Sequence, residues 1–218
     1  MVGEPQPTTA GRGPGRPPTT DLDQIVAAGC DVGLEQLTLN AVAAHLDVHV
    51  ATLYRYVAGR DELTQLVVDR IIDSVELPTD PALNDEELLV EFAVRLRRLL
   101  IDHPGLAGFS LTGGGSPAID RHRAAACEVM VGRGHEATAG LLLFDETATY
   151  TVAWAYATDP TALPPRRPPS ERGEVPAVLS EAERGYGRAD EDRWFAWCVR
   201  AHVRGVLALI ADDELPWS

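Results

Sequence analysis

The chain has 218 residues, 45% of them apolar, and a formal net charge of −14. The apolar share supports a packed core and excludes global disorder. The charge excludes a surface that attracts nucleic acid or anionic membrane as a whole, so any such contact must come from a local patch. All nineteen basic residues are arginine, which makes every cationic contact a guanidinium fork suited to phosphate.

Residues 1–19 are Gly, Pro, Thr and Arg with little to bury, and read as a disordered arm. The arm holds RGPGRPP, whose Arg16 is small-flanked enough to enter a narrow minor groove or to be part of an ordinary tail. It lacks the apolar core of a signal peptide. From Asp21 the spacing becomes helical, with Leu22, Ile25, Val26 and Gly29 on one face and Gly33 as the stop. Thr38 caps a short helix over 39–46. A second short helix is expected over 50–57, and Ala58-Gly59 breaks it. Asp61 then caps a longer helix over 62–76 with an apolar stripe of Leu63, Leu66, Val67, Ile71 and Val75.

Pro78, Asp80 and Pro81 mark a joint. Beyond it, long helical patterns cover about 84–103, 117–132, 135–158 and 190–211. Pro104-Gly105 stops the first and the GGGSP run separates the next pair. Residues 159–174 form a proline-rich loop, and a short helix is expected over 176–184. No strand-like alternation and no internal repeat is found. The fold class is all-α: an arm at 1–19, a three-helix helix-turn-helix unit at 20–76, and a larger helical domain at 77–218.

Cys30, Cys127 and Cys198 are odd in number and lack metal-ligand spacing, so they read as buried reduced thiols of a cytoplasmic protein. The segment AGLLLF runs into Asp145 and Glu146, too short and too charged to span a membrane. No membrane partner, cofactor or metal is expected. The histidines His45, His103, His122, His135 and His202 are scattered, and no Gly-rich phosphate loop or nucleophile-base grouping occurs. These observations argue against an enzyme. A helical interaction protein is the remaining alternative.

Two short helices joined by a three-residue turn have helix-turn-helix spacing. Val42, Leu46, Val48, Leu53 and Val57 face the core. Val50, Ala51, Thr52, Tyr54, Arg55 and Tyr56 face outward, where hydroxyls and forks reach phosphates or base edges. Arg60 adds charge at the start of the next helix.

The stretch LTLNAVAAHLDVHVATLYRYVAGRDELTQLVVDRI closely resembles the DNA-binding domain of the TetR family of bacterial transcriptional regulators. The resemblance is specific over residues 22–76 and weaker in the later helices, which look like the tetracycline-repressor type. It implies DNA contacts by Thr38, Leu39, Asn40, His49, Val50, Ala51, Thr52, Tyr54, Tyr56 and Arg60. Tyr54 and Arg60 would hold the backbone, and residues near the start of the second short helix would read bases. Asp47 stands where the family usually has Gly; Asp tolerates a left-handed backbone. Leu39 and Val50 replace often polar positions, which implies contact with a thymine methyl. Residues 1–70 carry five Arg against nine Asp or Glu, so few phosphate contacts and a shallow salt dependence are expected.

The resemblance also implies a homodimer through the helices near 135–158 and 190–211, on a palindromic double-stranded DNA operator. Small residues suit close helix approach: Ala137, Ala139, Gly140, Ala148 and Ala153 on one, Ala201, Gly205 and Ala208 on the other. A small-molecule effector inside the second domain would make the protein a ligand-responsive repressor. Its candidate lining is Phe92, Leu96, Leu99, His103, Phe109, His122, Cys127, Met130, Tyr150 and Trp154. Ser110 and Ala157 stand where the tetracycline repressor holds a metal-bound drug, which argues against a tetracycline–magnesium effector.

Overall fold

The computed structural model describes residues 20–113, 115–159 and 190–212. The expected arm at 1–19, the proline-rich loop, the helix at 176–184 and the acidic residues after Asp212 lie outside them. Among the described residues every regular element is a helix.

Helix α1 (Leu22–Val32) starts on a reciprocal cap: Asp21 accepts from the Gln24 amide while Gln24 reaches back to the Asp21 amide. It ends at Gly33, whose φ of 80° suits glycine. Gly29 packs against the later helix α4 so closely that an added Cβ would lie 2.5 Å from a Val67 methyl. A tight turn at Leu34–Gln36 leads to α2 (Leu39–His45), capped by Thr38 as expected. Helix α3 is shorter than expected, Val50–Leu53. Helical bonding continues beyond it, from Tyr56 N–H to the Leu53 carbonyl at 2.9 Å and from Val57 to the same carbonyl at 3.0 Å.

Helix α4 spans Arg60–Ile72, starting two residues and ending four residues earlier than the 62–76 expected. Gly59 is its cap; Asp61 lies in the first turn instead, where the helix dipole still favours it. Leu63, Val67, Val68, Ile71 and Ile72 are buried, and with Ile25, Leu37, Val42, Leu53 and Val57 they form the core of the first unit.

Five further helices follow: α5 (Asp85–Asp102), α6 (Leu106–Leu111), α7 (Pro117–Gly132), α8 (Ala137–Thr158) and α9 (Glu191–Ala211). Sequence reading placed a stop at Pro104-Gly105 and missed α6, which begins at once after it. Gly105 has a φ of 91°, and a Cβ there would lie 3.3 Å from the Leu34 Cβ, so this corner touches the first unit directly. Helix α8 packs on α5, α6, α7 and α9. The acidic start of α9 does more than complement its dipole: Glu191 and Asp192 hold the buried Arg97 of α5 at 3.0 and 2.6 Å. Glu86 on α5 binds Arg200 and Arg204 of α9.

Helix α9 is long and apolar enough, by length and composition, to cross a membrane. Its charged residues and its packing on α5 and α8 give the apolar surplus another use, as a helix-packing surface. The three cysteines are free and half-buried.

Candidate nucleic-acid interface and internal cavity

The turn between α2 and α3 is made by Asp47, which takes a φ of 52°. It lets Val48 N–H bond the Ala43 carbonyl at 3.0 Å and turns α3 out of line with α2. Val42, Leu53 and Val57 are buried, and Leu46 and Val48 pack against them, as the spacing required. Tyr54, Arg55 and Ala51 are then exposed, Tyr54 to 58%. Val50 and Thr52 are half-buried, and Asn40 is exposed on α2.

Several expected contact residues have prior engagements. Thr38 Oγ accepts from the Ala41 amide at 3.0 Å, and His49 Nδ1 accepts from the Ala51 amide at 3.2 Å. Both are exposed caps that fix the two helix starts. Tyr56 donates its hydroxyl to the Thr20 carbonyl at 2.6 Å, which ties the beginning of the described chain beside α3. Arg60 donates Nε to the Leu37 carbonyl at 2.9 Å, which holds the guanidinium across the start of α2. Glu62 takes the Ala58 amide, so a carboxylate already occupies part of the α4 entrance. Leu39 requires a correction: it is 8% exposed and belongs to the core, which removes the expected thymine contact.

Beneath this unit a cavity of about 540 Å³ opens between α4, α5, α6, α7 and α8. Ile72, Val75, Phe92, Leu96, Phe144 and Val152 give it an apolar wall, with Phe92 and Phe144 edge to face at 4.9 Å. Of the ten lining residues expected from sequence, Phe92, Leu96 and His122 line it. The others do not. Leu99 faces a shallow surface hollow beside Arg95 and Asp102. His103 caps the end of α5, and Phe109 packs into the core beside it. Cys127 donates to the Ala137 carbonyl, and Met130 is fully buried under Gly140 where α7 crosses α8. Tyr150 stacks on His202 at 4.7 Å and Trp154 meets Phe195 at 5.7 Å, so both face α9. A helical periodicity shows which residues share a face, but not which neighbour that face meets.

Polar side chains on and beside the cavity wall also tie α7 to α4. Ser116 donates to Asp69, and Arg121 reaches both oxygens of Asp73 at 2.8 and 2.9 Å. The ring nitrogens of His122 lie 3.0 Å from the carbonyl oxygens of Ala118 and Val75. Arg123 is gripped by both oxygens of Asp145, at 2.9 and 2.7 Å, which raises its pKa above the usual guanidinium value. Ser110 lines the cavity and bonds the Leu106 carbonyl; Ala157 is exposed and outside it. Among the described residues no three His, Cys, Asp or Glu side chains cluster as metal ligands would.

A four-residue α3 turned away from α2, on a four-helix head with a larger helical body behind it, is a distinctive arrangement. ActR of Streptomyces coelicolor superposes on it with a TM-score of 0.69 at 23% identity, over 88% of this chain and 96% of that one. The fold is that of the TetR family. A TetR variant of Acinetobacter baumannii in complex with minocycline has the TetR fold too, with a TM-score of 0.63, 16% identity, and 88% and 98% of the two chains covered. ActR has also been solved in complex with actinorhodin.

The sequence is similar to an HTH-type transcriptional regulator of Saccharopolyspora erythraea, 30% identical over 99 residues. It is 42% identical over 76 residues to the HTH-type transcriptional repressor DrrR1 of Streptomyces coeruleorubidus. These stretches cover 44% and 32% of this chain, and only 42% and 28% of the two relatives. No protein-family model matches the chain.

Proposed function

We propose that the protein is a sequence-specific, DNA-binding transcriptional regulator: a cytoplasmic, ligand-responsive repressor that binds a palindromic operator as a homodimer. The observation that carries this reading is the α2–α3 pair. The left-handed Asp47 turn commits Leu53 and Val57 inward and leaves Ala51, Tyr54 and Arg55 on an exposed face. Asn40 and Val50 stand beside them, and Thr38, His49, Thr52, Tyr56 and Arg60 flank the face.

The dimer reading is supported by α9. Phe195, Val199 and Val203 are buried, while Trp197, Ala201, Gly205, Ala208 and Leu209 are exposed together on the opposite side. Trp197 stacks on Trp194 at 5.3 Å. An apolar face of that length favours a second copy. Helix α8 contributes less than its small residues suggest, because Ala139 is buried, Gly140 faces α7 and Ala148 faces the cavity. Ala137 and Ala153 remain exposed for the partner.

An effector in the cavity would press on Ile72, Val75, Ser116 and His122, the residues where α4 meets α7. It would act only through unequal affinity for two head positions.

The test is selection of bound fragments from genomic DNA at several salt concentrations, with a Tyr54→Ala/Arg55→Ala variant as control. Neither side chain is buried, so the variant keeps its fold. We expect the wild type alone to enrich one palindromic site. Equal enrichment by both proteins rejects the reading.

A further inference from the structure

We propose that the cavity between α4 and α8 selects an amphipathic organic cation: a ring system with one protonated nitrogen, and not an organic acid. This inference rests on the ligand-responsive reading and specifies its ligand.

The apolar part follows from the wall. Phe92, Phe144, Leu96, Ile72 and Val152 offer no polar partner, and about 540 Å³ accommodates a ring system of drug size. The charge follows from the residues at the α7–α8 side. Two carboxylates, Asp120 and Asp145, and one guanidinium, Arg123, line the cavity among the described residues. Asp145 occupies Arg123 with both oxygens, and Asp120 adds a looser contact at 3.7 Å. An incoming acid would have to displace Asp145 from Arg123, exchanging one good bidentate pair for another at no gain. His122 offers no alternative anchor, since both ring nitrogens already face carbonyl oxygens.

A cation displaces nothing. Asp120 is mostly exposed, and among the described residues its ion pair is the loose one to Arg123, so it has lone pairs to spare beside the apolar wall. Carboxylates outnumber guanidiniums two to one on the wall, on a chain whose net charge is −14. A recess of that sign raises the local concentration of cations and depletes anions.

The test uses three probes with one ring skeleton, 9-aminoacridine (cation), acridine (neutral) and acridine-9-carboxylate (anion), titrated calorimetrically into the full-length protein without DNA. We expect 9-aminoacridine to bind at least tenfold more tightly than the carboxylate, and Asp120→Asn to weaken it severalfold with an unchanged melting curve. In the Asp120→Asn/Asp145→Asn pair Arg123 loses its partners, and the preference should turn toward the carboxylate. If the acid or the neutral ring binds wild type best, the inference falls and the ligand-responsive reading stands. Cation binding that ignores both substitutions places the protonated nitrogen elsewhere and also overturns it. If none of the three binds, the inference and the ligand-responsive reading fall together.

Discussion

Asp47 sets the angle of α3 by occupying a left-handed conformation that costs most residues energy. Glycine would take it freely, and a β-branched residue would not. Asp47→Gly is expected to leave stability within about 1 kcal/mol of wild type, whereas Asp47→Val should cost about 1–2 kcal/mol. A shift of the urea midpoint at constant slope would read this out. The turn was legible in the sequence because its conformation is a local demand on a single residue. The partners of Tyr56 and Arg60 were not. Both bind backbone carbonyls, of Thr20 and Leu37, at sequence separations of 36 and 23. Nothing in the residue types at positions 20 and 37 announces an acceptor, since every residue has one.

Between elements, ion pairs join α5 to α9. Hydrogen bonding from Arg204 is the main cause that holds the Glu86 carboxyl below its usual pKa; burial opposes it, and the charges of Arg204 and Arg200 reinforce it. Asp85 is also lowered: burial alone would raise it, and hydrogen bonds from Arg133 and then His135 prevail. A carboxylate depressed in the folded state contributes stability above its unfolded pKa of about 4 and loses it as pH falls through the folded value. Glu86→Gln should therefore destabilise the protein at pH 7, with the gap from wild type closing as unfolding is measured toward about pH 3. A gap that stays constant with pH would show that Glu86 acts through packing instead.

The long helices were readable from their three-four spacing, and the structure adds the side-chain caps that start them, Asn84, Ser116 and Asp190. Helix α6 was hidden because six residues give too few turns for a period, and HPG at its start reads as a stop. The cavity wall was hidden for a different reason. Tyr150, Trp154 and Met130 have the composition of a ligand site, and only the packing of α8 on α9 and α7 spends them elsewhere.

For the whole molecule, acidity would limit how DNA is held under the proposed function. Arg55 and Arg60 would stand on each reading face, so the proposed dimer would present four guanidiniums there. The logarithm of the affinity should fall with the logarithm of salt concentration with a slope of about −4 or shallower. Fluorescence anisotropy on the selected operator measures it. A slope near −8 would mean that further arginines of the chain also neutralise phosphates.

The head meets the body at Gly105, which sits against Leu34 and Glu35, and again where α7 grips Asp69 and Asp73 near the end of α4. A body resting on two bearings turns most easily about the line through them. In the proposed dimer, swelling of the cavity beside the second bearing would therefore swing the paired α3 helices along arcs related by the two-fold axis rather than shift them at random. A small rotation at the pivot would become a change in the span between two half-sites, multiplied by the lever arm of the head.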